Sequence, residues 1–133
     1  MATKVVDGGL AIVTDARVGG SVTEPKYIGW GTAAGTTAVT DTTLFTEKDV
    51  DLSTGSGTRT TGSSSQVTTT TTSDTYQVTG TRTATGAGTV TNAGLFDNAT
   101  IASGNLFLKG DFTGIGLASG DSIAFTIKCV FDN

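Results

Sequence analysis

From Ile123 to Phe131 apolar side chains occupy every odd position: Ile123, Phe125, Ile127, Cys129 and Phe131. Ala124, Thr126, Lys128 and Val130 lie between them. Successive side chains of an extended chain point to opposite faces, so a period of two marks a strand with one face buried. Gly120-Asp121 supplies the preceding turn. The pattern predicts a strand central to the fold, with Cys129 inside.

Weaker versions of the pattern recur. Asn105–Phe112 sets Leu106 and Leu108 against Phe107 and Lys109. Between Thr75 and Thr85, Tyr76, Val78 and Ala84 share a face with Arg82, and threonines fill most of the other. Thr89–Asp97 reads as a strand or bend, and Gly9–Val13 and Lys26–Trp30 are short β-prone runs. Branched and aromatic residues suit a pleated, half-buried surface. Short strands punctuated by glycine every ten residues or so indicate a sandwich or barrel. The expected fold is all-β: a single-domain antiparallel sandwich or barrel, jelly-roll-like, over residues 21–133. Residues 1–20 are either an N-terminal arm or the first strand.

Three segments break the alternation. Thr40-Asp41 could cap a short helix through Glu47, the one place that invites a helix. Ser53–Ser65 is polar and Gly/Ser-rich, the composition of a flexible loop or a domain linker. Val67–Thr72 is low in complexity but high in strand propensity, and reads as an outer or edge strand in preference to disorder.

Composition narrows the chemistry. The 133 residues include 29 threonines, 19 glycines, one cysteine and no histidine, with a net charge of −4. One domain fits that length, and such a chain can bury one modest core without metal or disulfide. Leu, Ile, Val and Phe total 30 residues, just above the ~20% level below which disorder is the better reading. Without histidine there is no His-dependent triad and no imidazole metal ligand. A sequence pI near 4.4 argues against nucleic-acid binding, which needs clustered cations. No apolar run reaches the ~20 residues of a membrane helix. The start, interrupted by Asp7, Gly8 and Gly9, shows no secretory signal, and synthesis in the host cytoplasm is expected.

Each candidate reactive group has a plainer role. Cys129 lies on an apolar face with no activating base, as an inert core thiol does. A glycosidase needs two carboxylates facing across a cleft. Most of the twelve here (Asp7, Asp15, Glu24, Asp41, Glu47, Asp49, Asp51, Asp74, Asp97, Asp111, Asp121 and Asp132) sit in turn-like contexts, where aspartate accepts local backbone hydrogen bonds. Asp49-Val50-Asp51 puts two carboxylates on one face of an extended segment, fewer oxygens than a calcium loop supplies. Gly29-Trp30-Gly31 and Gly114-Ile115-Gly116 lack the lysine and the helix of a phosphate loop, and read as turns or close backbone approaches. Asn98-Ala99-Thr100 matches a glycosylation triplet without a secretory signal. Trp30, Tyr27 and Tyr76 read as core or interface anchors. These readings predict no enzymatic activity and no cofactor or metal.

A resemblance adds a functional expectation. Pro25-Lys-Tyr-Ile-Gly-Trp-Gly-Thr32, Val67–Val78, Asn92-Ala-Gly-Leu-Phe-Asp97, Asn105–Phe112 and Leu117–Lys128 together resemble small virion structural proteins of tailed bacteriophages. The resemblance covers most of residues 9–131. It implies a capsid decoration, or cement, protein on the outer surface of the virion head. The implied partners are the major capsid protein and further copies of the chain, as a homotrimer. No catalytic residues come with it. A tail-fibre receptor- or glycan-binding module is the alternative, and a small cell-wall glycan hydrolase the third class. In the N-terminal segment Leu10, Ile12 and Val13 form a compact apolar unit. They are the candidate residues for tethering to the capsid or to a neighbouring subunit, by adding a strand to a partner's sheet.

Overall fold

The computed structural model describes residues 2–131. Its described strands are β1 (Ala2–Val5), β2 (Tyr27–Gly31), β3 (Glu47–Lys48), β4 (Thr60–Thr61), β5 (Ser63–Val67), β6 (Thr75–Thr83), β7 (Gly88–Phe96), β8 (Leu106–Leu117) and β9 (Ser122–Val130). One helix, α1 (Asp7–Arg17), follows β1. The larger sheet runs β1-β8-β7-β2-β3, with β4 also pairing with β2, and the smaller runs β5-β6-β9. All pairings between these strands are antiparallel. The two sheets pack face to face as a sandwich in a single domain.

Inward residues of both sheets make the core. Ile28, Leu95 and Leu108 of the larger sheet meet Val78 and Cys129 of the smaller one. Further along, Trp30, Val90 and Leu117 pack with Ala84, and half-buried Ile123 and Phe125 close over them. Chain economy closes one side of the sandwich. The strand pairing with β2 passes Gly62 and continues as β5 in the other sheet, while the Gly62 amide donates to the Lys26 carbonyl.

A third layer covers the outer face of the larger sheet. Leu44 and Phe45 lie flush on a glycine row, because a Cβ at Gly29 or Gly94 would meet the Leu44 side chain and one at Gly31 the Phe45 carbonyl. Asn92 Oδ1 accepts the Phe45 amide, and Asp111 accepts that of Thr37. The Gly29-Trp30-Gly31 run is therefore a strand that permits a close backbone approach.

Several expectations are corrected. Residues 9–13 are neither arm nor strand but the middle of α1. Gly9, Ile12, Val13 and Ala16 recur at helical spacing, with Gly9 and Ile12 buried. Asp7 in the first turn and Arg17 in the last complement the helix dipole. A Cβ at Gly9 would run into the Phe107 carbonyl, so that glycine lets α1 rest directly on β8. Residues 42–46 form bends and turns and Glu47 opens β3, in place of a helix. The threonine run is a turn after β5, closed by the Asp74 carboxylate, which accepts the amides of Thr69, Thr70 and Thr71. The polar stretch from Ser53 is also not one loop, since it contains β4 and the start of β5. Finally, β9 is an edge strand and not a central one.

Candidate functional site

The residues singled out for chemistry are mostly committed to structure. Cys129 is a buried free thiol, and burial raises its pKa. The carboxylates of Asp49 and Asp51 go separate ways. Asp51 accepts the amides and hydroxyls of Ser53 and Thr54. Those bonds, led by the Thr54 hydroxyl, hold its pKa well below the ordinary range. Asp49 accepts the Val50 amide and faces Arg82 at 3.3 Å. Asn98 Oδ1 accepts the Thr100 amide in a local turn. Trp30 is fully buried and its indole donates to the Asp49 carbonyl. Among the described residues no three His, Cys, Asp or Glu side chains gather as metal ligands would.

A set of buried charges went unseen in the sequence. Three cations are almost wholly enclosed, and each pairs with an acid from the segment 41–49 while lying over an aromatic ring. Arg59 donates to both oxygens of Glu47, at 2.7 and 2.9 Å, and stacks on Phe96. Lys109 reaches Asp41 and the Thr43 carbonyl, both at 2.9 Å, over Phe45. Arg82 lies between the sheets beside Trp30, bonded to Asp49, Thr60 and the Thr58 carbonyl. Burial would raise the pKa of Asp41. The Ala38 amide and Lys109 outweigh it and hold the carboxyl below its usual value. These clamps fasten the third layer and the neighbouring turns to the sandwich at three points. They can fix a surface in shape, and their acids are occupied by cations.

What remains free is surface. The smaller sheet stops at β9, while the larger one continues past β8 to β1. Between them lies an open groove of about 780 Å³, walled by Thr3, Leu108, Phe112 and Ile115 on one side and by residues 123–128 of β9 on the other. Ile115 pairs with fully buried Val90 and so faces inward with it, yet it stays 41% exposed beside the groove. A second, smaller cleft of about 310 Å³ lies between α1 and the end of the sandwich, lined by Ile12, Val13, Tyr76, Phe107 and exposed Phe131.

The three tether candidates separate on the helix. Ile12 is buried in the core cluster with Phe107 and Cys129, Val13 packs half-buried beside it, and Leu10 stands 57% exposed on the opposite side. The geometry does not gather them into one contact surface. Helical spacing across Gly9, Ile12, Val13 and Ala16 was the signal that could have shown this. No protein-family model, curated protein or solved structure matches the chain.

Proposed function

We propose that this chain is a structural, adhesive protein of a tailed-phage virion: a capsid decoration protein that binds the outer surface of the head, associates as a homotrimer and holds coat subunits together. The observation that carries the reading is the open side of the sandwich. A nine-residue strand edge and the larger of the two apolar clefts described above lie uncovered side by side, on a body stiffened by buried charge clamps. Such a surface suits adhesion to another polypeptide, by strand addition or packing, better than turnover of a small substrate. The runs that resemble phage virion proteins fall on β2, β6, β7, β8 and β9, the strands that build this body. A firmly clamped, mildly acidic β domain is also what a durable coat component requires.

Copy number tests the proposal. Quantitative mass spectrometry of purified particles is expected to give a stoichiometry that scales with the coat subunit, and cross-linking is expected to yield trimers. A handful of copies that co-purify with isolated tails would replace this reading by that of a fibre module.

A further inference from the structure

We propose that the groove beside β9 is an acceptor site for one extended segment of the coat subunit, which joins the smaller sheet as a fourth strand. The inference rests on the decoration reading and specifies how the head is gripped. A strand at a sheet edge presents a row of unpaired backbone donors and acceptors, a ready template for another chain. Here that template runs for nine residues, about 30 Å at ~3.4 Å per residue. It has no proline, and β9 pairs with β6 without a break in register from Thr75↔Val130 to Thr83↔Ser122. Ile123, Phe125 and Ile127 face inward along it, half-buried.

The shape of the opening selects the occupant. Because the larger sheet extends beyond β9 by β8 and β1, the edge of β9 overlooks a ledge. A single strand fits on that ledge, with alternate side chains resting on Leu108, Phe112 and Ile115. A second whole sandwich approaching β9 edge to edge would bring its own ledge against this one. Two described segments of this chain that lie near the ledge are committed elsewhere. β1 is paired along β8 from Ala2↔Asp111 to Val5↔Leu108, and the segment 32–46 is held by the Lys109–Asp41 clamp. With both held in place, the occupant is a strand supplied by another protein.

Charge specifies it further. The groove wall contains no carboxylate, and the one charged side chain of β9 is Lys128, exposed on the outer face of the strand, on a protein whose net charge is −4. The complementary segment turns apolar residues toward the ledge and small polar ones outward, with an Asp or Glu on that outer face beside Lys128. Strand addition of this kind takes affinity from main-chain bonds and specificity from alternate side chains.

The test uses heads that lack the protein and three full-length forms: wild type, Ile115→Glu and Lys128→Glu. Both substituted positions are exposed, and unchanged Trp30 emission verifies folding. Ile115→Glu is expected to weaken head binding about tenfold or more, with a smaller loss for Lys128→Glu. A benzoylphenylalanine photo-crosslinker at Ile115 should then join one contiguous, alternating, acid-bearing stretch of the coat subunit. If wild type binds heads and both variants bind equally well, the groove proposal is wrong while the decoration reading stands. Cross-links only to a second copy of this chain also overturn it. If wild type itself does not bind heads, the decoration reading falls, and the coat subunit with it as the groove's occupant.

Discussion

Replacing Lys109 by methionine removes a fully enclosed ammonium while keeping most of the side chain's length. In the folded protein that ammonium donates to Asp41 and to the Thr43 carbonyl, both at 2.9 Å, and lies 3.2 Å from the centre of the Phe45 ring. Removing one partner of a buried ion pair typically costs ~3–5 kcal/mol, toward the low end here because Asp41 is 20% exposed and keeps the Ala38 amide. Methionine recovers part of this through its contact with the ring, so the expected loss is about 3 kcal/mol. For a chain of this size that corresponds to a fall in Tm of roughly 10 °C. Asp41→Asn keeps an acceptor for the Ala38 amide but removes the charge. The double variant should lose less than the sum of the single ones, with a coupling of ~1–2 kcal/mol. Urea unfolding followed by emission of the lone, buried Trp30 measures all four forms. A Lys109→Met protein within about 0.5 kcal/mol of wild type, or strictly additive variants, would refute the clamp argument.

Three further outcomes follow from the same structure. Ile12→Ala should cost about 2–4 kcal/mol because Ile12 is a core residue, whereas Leu10→Ala should stay within ~0.5 kcal/mol in the free protein; equal effects in urea melts would contradict the placement of α1. Cys129 should react with a bulky thiol reagent far more slowly in the native protein than in urea, and matching rates would deny its burial. Stability should be flat between about pH 5 and pH 8 and fall on either side. Asp51 and Asp74 are depressed by hydrogen bonds, led by the Thr54 hydroxyl and the Thr71 amide. The folded state therefore binds fewer protons than the unfolded one in acid, and stability is lost as pH drops below ~4. Tyr76, raised by burial and Glu24, and Cys129, raised by burial, keep their protons longer when folded, so stability declines above ~9. A Tm that rises on acidification below pH 4 would reverse this sign.

The alternation at Ile123–Phe131 placed a strand and an inward Cys129, because a period of two survives in any sheet with one buried face. It carried no information on whether that strand had neighbours on both sides, and β9 has one. The helix escaped because Gly8, Gly9, Ile12 and Val13 all lower helix propensity; its stability comes instead from packing on β8, which a local reading does not see. The buried clamps were equally invisible. Asp41, Glu47 and Asp49 resemble turn acids, and their partners Lys109, Arg59 and Arg82 lie 68, 12 and 33 positions away. The groove arises from the difference in width between the two sheets, a property of topology rather than of any motif.

The most direct measurement of the central claim is reconstitution. Purified protein added to heads that lack it, imaged by electron cryo-microscopy, should place sandwich-sized density at repeating positions on the outer shell. Binding should saturate in proportion to the coat subunits and raise the temperature at which the heads disrupt. Shells that stay bare at saturating protein, or density confined to the tail, would contradict the assignment as a head decoration protein.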